Sequence, residues 1–284
     1  MRFILAAACL ITCLQGGLVS ARDIFVDNLV GDDLFDGLNS VVSDSRTGPV
    51  QTLRRAMHLA RFGDQIILTR PGAVYYDSLS LTGTRHSGTQ QYPFTLIGNG
   101  AILSGMRAVP PEGWRKTGPD VWKLTLTRKG FYRLLRDGVP LPESKPADIE
   151  NPLASLAAGE WVAWRGSLYF RGDGAAPSQQ SFAYSADQTG LSLYQVDHVR
   201  IVDLTLRDFR FDGLRAQNMC RGIKLENVTC INNGRAGIVV SGSSHVQIVG
   251  GHVADNGRHQ IQISGPATAT LNDVAMEGEP TVLP

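Results

Sequence analysis

The chain has 284 residues, with 27 basic and 26 acidic side chains and 43% hydrophobic residues. That is enough apolar material for a sizeable core, and the near balance of charge excludes a nucleic-acid binder driven by global charge. A local cationic strip facing an acidic polymer stays open.

The first 21 residues read as a secretory signal peptide. Arg2 is followed by the apolar stretch FILAAACLITCL and the small-residue site Val19-Ser20-Ala21. The stretch is too short to span a bilayer, and no later segment looks transmembrane. Cleavage after Ala21 removes Arg2, which leaves basic and acidic residues equal in number, and takes two of the four cysteines with it. The sequence thus predicts a secreted, extracellular or periplasmic protein of residues 22–284. Secretion permits a disulfide between Cys220 and Cys230. Cys230 falls in an apolar column where a buried thiol fits better.

A strand (DIFVDN) opens the mature chain, followed by an acidic loop, GDDLFDGLNS. Asp32, Asp33, Asp36 and Asn39 are oxygen donors of the kind calcium takes, without EF-hand spacing. No cofactor is expected, with Ca2+ at this loop the one candidate, and no transition-metal site has ligand spacing. Residues 52–62 place Leu53, Ala56, Met57 and Ala60 on one helical face, with Gly63 as a stop. A single amphipathic helix at this position suits an N-terminal cap. Short strands follow in DQIILT, DSLSL, FTLIGN and AILSG. From about 107 to 189 the pattern changes to paired strands with Asp137-Gly138 and Arg165-Gly166 at the turns, around a Pro-rich stretch from Pro140 to Pro152. This reads as an inserted antiparallel β-hairpin subdomain that holds all four tryptophans.

Residues 190–284 repeat every 23 to 24 positions. Val199, Ile223, Val246 and Ala269 align, as do Ile201, Leu225, Ile248 and Leu271. So do Leu206, Cys230, Val253 and Met276, and then Leu214, Ile238 and Ile261. Periods of this length signal a stacked solenoid. Within each repeat, apolar residues alternate in pairs, so each coil is a set of short strands bent at corners. Asn232-Asn233-Gly234 and Asp255-Asn256-Gly257 mark one corner. The fold class is therefore all-β, a parallel β-helix. No C-terminal cap is evident, so a partner covering the last coil is an open expectation.

The segments DIFVDNLVGDDLFDG…GPVQTLRRAMHLARFGDQIILTRPGAVYYDSLSL and NNGRAGI…SSHVQI resemble bacterial secreted right-handed β-helix proteins of the pectin lyase-like superfamily. That resemblance implies right-handed coils and an extracellular polysaccharide as partner, bound or processed by lyase or glycoside-hydrolase chemistry. Because the superfamily hosts many activities, a non-catalytic surface or structural role, as an adhesin or matrix component, is the alternative. The NTD and HG elements of polygalacturonases, the arginine motif of pectate lyases and the Asp-Pro-His motif of alginate epimerases are absent. No catalytic residue carries over.

Stacking at about 4.8 Å per coil turns the alignment into surface columns. Arg200, Lys224, Gln247 and Thr270 form one. Lys224 beside Arg200 is a candidate base with a cationic neighbour, as a uronate lyase requires; solvated polar positions on a strand face are the simpler reading. Asp208 and Asp255, two coils and about 9.6 Å apart, are candidate acid and base for inverting hydrolysis, against a simpler role as turn carboxylates. Arg235, Arg258 and His259 flank the same corner as candidate substrate contacts. If the chain is catalytic, some close pair among Asp208, Asp255, Lys224 and His259 should line one cleft with the insert; a structural role predicts that they scatter.

Overall fold

The computed structural model describes residues 21–127 and 130–284; the signal-peptide reading falls outside this range, save for Ala21. Three parallel faces wind into a solenoid. The first carries Asp23–Val26, Gln65–Leu68, Phe94–Ser104, Val199–Arg207, Ile223–Glu226, His245–Val249 and Thr268–Asn272 in successive rungs. The long strands Phe94–Ser104 and Val199–Arg207 bend into the second face, continued by Thr229–Ile231, His252–Ala254 and Ala275–Met276. The third face stacks Leu79–Thr82, Thr189–Tyr194, Asp212–Gln217, Ala236–Val240, His259–Ser264 and Thr281–Leu283. The register follows the repeat: Ile201 pairs Leu225, which pairs Ile248, which pairs Leu271. Leu206, Cys230, Val253 and Met276 align likewise, as do Leu214, Ile238 and Ile261. These inward residues form one continuous core.

The corners follow from backbone chemistry. Asn99, Asp203, Asn227 and Asp273 lie between the first and second faces, and Asp208, Asn232 and Asp255 between the second and third, all with φ between +50° and +63°. Asn and Asp tolerate the left-handed region best among residues with side chains. Inside the second corner a ladder of amides satisfies buried backbone. Asn233 Oδ1 accepts from Phe209 N (3.1 Å), and Asn233 Nδ2 donates to Asn256 Oδ1 (2.9 Å). Asn256 Nδ2 donates to Cys230 O and to Gln260 Oε1. Gly213 and Gly237 leave room for the ladder, since a Cβ on either would lie 2.8 or 2.9 Å from an Asn Nδ2. In the last coil Gln260 takes the glycine's place and terminates the ladder; in the first, the buried Phe209 ring does so over Gly190.

The helix Leu53–Leu59 closes the N-terminal end, burying Leu53 and Ala56 on the solenoid core. Thr52 caps it by accepting from Arg55 N. Asp33 in turn accepts from Thr52 N and Thr52 Oγ1 (2.8 and 2.7 Å), and Asp32 and Asp36 bond backbone amides two residues on. The acidic loop is thus engaged in holding the cap. Cys220 and Cys230 are buried free thiols, and burial pushes the Cys230 thiol far up.

The insert leaves the second face after Ser104 and returns at Thr189, whose strand pairs the early and late coils as though nothing intervened. Its neck is stitched at Gly105, whose carbonyl accepts from Ala186 N and Asp187 N. It holds two antiparallel four-stranded sheets, one of Met106–Ala108, Leu134–Arg136, Val139–Pro140 and Phe182–Ser185, the other of Trp114–Gly118, Val121–Thr125, Trp161–Trp164 and Ser167–Arg171. Trp114, Trp161, Leu168, Phe170 and Phe182 fill its own core, separate from that of the solenoid.

Candidate functional site

The candidate residues divide between two places. Arg200 and Lys224 stand on the outer side of the first face, paired across adjacent rungs. Asp208, Asp255, Arg235, Arg258 and His259 lie around the corner between the second and third faces, where the insert emerges. Lys224 is therefore not brought together with either aspartate.

At the corner each side chain has an occupation. Asp208 is buried and ion-paired to Arg207 (3.1 Å). Burial raises its pKa above the ordinary range, while Arg207 and Arg133 pull it back. Arg235 donates to Asp212 (Nε to Oδ1, 2.9 Å), whose side chain is fully buried, and this hydrogen bond holds the Arg235 guanidinium above its usual pKa. That is a structural ion pair, in which Asp212 is fully buried and the Arg235 side chain keeps 27% exposure. Asp255 is an exposed turn residue whose backbone carbonyl accepts from Arg133. His259 Nδ1 lies 3.1 Å from Thr281 Oγ1 on the next rung. Arg258 places its guanidinium 4.9 Å from the centre of the Phe131 ring. The expected acid and base, Asp208 and Asp255, are divided by burial, one inside and one out.

What assembles here is a cleft between insert and solenoid. The insert segment Phe131–Arg133 docks on the corner through Phe131 against Phe211 (5.2 Å) and Arg133 to Asn232 Oδ1 (3.1 Å). Gly234 permits the approach, since a Cβ there would lie 2.3 Å from Arg210 O and 3.0 Å from Phe131. Two adjoining hollows result, of about 370 and 250 Å³, which share Tyr132, Glu143 and Gly234. Phe131, Trp164 and Arg165 line the first, Arg133, Leu141 and Trp161 the second. Trp164 carries the Arg165 guanidinium on its face at 4.4 Å. Glu143 keeps contact with solvent, yet the walls around its carboxyl desolvate it and raise its pKa, with Lys145 and Arg133 pulling it down. Chemically, the cleft offers aromatic side chains and one carboxyl, a combination suited to hydroxyl-bearing rings.

The sequence reading missed Glu143, which sits in the Pro-rich stretch without any periodicity to single it out. It also missed Glu226, which binds both Arg200 (Nε to Oε2, 2.6 Å) and Lys224. Period-two alternation from Lys224 would have placed Glu226 on the same outer face. Burial pushes the Glu226 carboxyl up, but the bonds from Arg200 and Lys224 outweigh it and hold it below the ordinary range. Lys224 is engaged as an ion-pair donor, the arrangement of a cation that binds. Among the described residues no cluster of His, Cys, Asp and Glu forms a metal site, and no helix is long and apolar enough to cross a membrane.

Residues 184–279 match the family described as right-handed β-helix region. The solved complex of XylC with xylose is similar in structure, with a TM-score of 0.58 over 89% of this chain at 11% identity. This chain spans 58% of XylC. No curated protein matches.

Proposed function

We propose that this right-handed parallel β-helix protein, of pectin lyase-like fold, is a secreted receptor for an extracellular polysaccharide, held in the cleft between the insert and the solenoid corner. The observation that carries the reading is the convergence of Phe131 and Trp164 with the Glu143 carboxyl over a turn kept bare by Gly234. Aromatic faces cover the C–H faces of sugar rings, and a carboxyl can donate to or accept from ring hydroxyls. XylC, of similar fold, was solved with xylose, which agrees with a sugar as the ligand of this architecture.

Binding without turnover is the version the geometry supports best. Hydrolysis needs two carboxyl groups facing one bond across an open space, and Asp208 is walled in. A lyase needs a base beside cations, and Lys224 and Arg200 lie on another face, committed to Glu226.

The test is a glycan-array screen of the mature protein, with reducing-end and unsaturated-product assays on every hit. Binding without product, abolished in Trp164→Ala and weakened in Glu143→Gln while the melt is kept, is the expected result. Product formation would overturn the non-catalytic part and make Glu143 a candidate general acid. Silence across neutral and acidic polysaccharides would overturn the receptor reading in favour of a structural role.

A further inference from the structure

One hollow in the solenoid wall lies away from the insert. It is an open groove of about 780 Å³ along the outer side of the first face. Two outward columns line it. One runs His198, Gly222, His245, Thr268; the other runs Arg200, Lys224, Gln247, Thr270. Gly222 makes a notch between the two histidines, where φ is +62° and a Cβ would lie 2.6 Å from His198 Nδ1. Beside the notch, Arg200 and Lys224 both bind Glu226, so two cations share one carboxylate and a positive excess remains. The layering matters as much as the count. The two cations are 45% and 44% exposed, whereas Glu226 is 17% exposed beneath them. A ligand approaching from solvent meets the ammonium and guanidinium before the carboxylate.

We infer that this groove is a second recognition site, which takes the acidic groups of a polyanionic polysaccharide, carboxylate or sulfate. The ladder supports a chain ligand. Successive rungs offer Arg200, Lys224, Gln247 and Thr270 in line, about 4.8 Å apart, so donors repeat on the scale of a sugar unit. None of the groove-lining residues is aromatic apart from the two histidines, which argues against a nucleic-acid strand that would need stacking platforms. Arg200 and Lys224 supply the charge, and Gln247, Thr268 and Thr270 supply hydrogen bonds to hydroxyls. The site stands on a different face and different residues from the insert cleft, so neither reading depends on the other.

The experiment measures binding of polygalacturonate, dextran sulfate and neutral xylan to the mature protein at low and high salt. Wild type is expected to bind at least one of the acidic polymers in a salt-sensitive manner. Preference for polygalacturonate assigns a carboxylate ligand, and preference for dextran sulfate a sulfate. The Arg200→Gln/Lys224→Gln double variant should weaken that binding about tenfold or more. Because the double variant strands Glu226, Gln247→Glu provides a second route: it adds a negative charge to the column, removes no partner, and should weaken binding in the same direction. The inference is overturned if neither acidic polymer binds, if both variants bind as wild type does, or if xylan binding is lost alongside, which would make the groove a general sugar surface.

Discussion

The regular coils and the insert solve the same problem of burying apolar surface in opposite ways. In the coils each inward position is repeated by its neighbours, so Ile201, Leu225, Ile248 and Leu271 share one environment and the backbone is satisfied rung on rung. In the insert nothing repeats, and stability rests on a few large rings around Trp114, Phe170 and Phe182, with Phe182 packed edge to face on the other two. A repeated surface yields columns of like chemistry, suited to a long uniform ligand. A non-repeated surface yields a shaped cleft, and here it appears where the insert meets the corner.

The comparison breaks most visibly at the solenoid core. Ile248→Asp buries a carboxylate at a fully buried position between two occupied rungs. A loss above about 4 kcal/mol, enough to abolish cooperative folding, is expected. A thermal melt close to wild type would show that the columns are not the stabilising unit. Asn233→Ala is the next test. It removes a buried amide that accepts from Phe209 N and donates to Asn256 Oδ1 and Leu206 O. Each orphaned group costs about 1–3 kcal/mol, so urea denaturation should report a loss of at least that size without a change of fold by circular dichroism. A loss near zero would mean that water replaces the ladder.

The insert's docking is expected to be weaker than either. Arg133→Ala removes one contact to Asn232 and one to Asp255 at a partly exposed junction. The expected cost is about 1 kcal/mol or less in global stability. Hydrogen exchange should quicken at the corner residues 232–235 and 255–258 and in the 131–134 segment while the inner strands keep their protection. If the whole protein melts earlier by many degrees instead, insert and solenoid fold as one unit and the contrast between them is false.

The same contrast explains what could be read from the sequence. Leu225 or Ile238 is recognisable because its neighbours at 23 to 24 residues repeat it, and stacking forces that repetition. Arg200 and Lys224 were placed together for the same reason. The cleft was not legible, because Glu143 arrives by an isolated parallel bridge to Trp161, Trp164 by a short hairpin and Phe131 by a loop contact to Phe211, none of which a period announces. The occupation of Arg235 was hidden differently. Its partner Asp212 lies on the preceding rung at the buried end of the corner, and nothing in the 23 to 24-residue pattern marks that position as buried.

Asp208 gives the smallest effect and the finest test of that burial. Desolvation raises its pKa, against the pull of Arg207 and Arg133. The folded protein then holds this proton more tightly than the unfolded chain does. Stability from this group is therefore fully present below the unfolded carboxylate value of about 4 and is lost as pH rises through the raised folded value. Asp208→Asn cannot titrate, so the stability of the variant relative to wild type should climb as pH rises across that window and then level off. Urea denaturation of both proteins at several pH values measures the difference. A flat difference would mean that the two arginines offset the desolvation in full. A difference that falls with pH would mean that they overcome it, and the corner would then be better described as an ion-pair network than as a buried acid sealed beneath the insert.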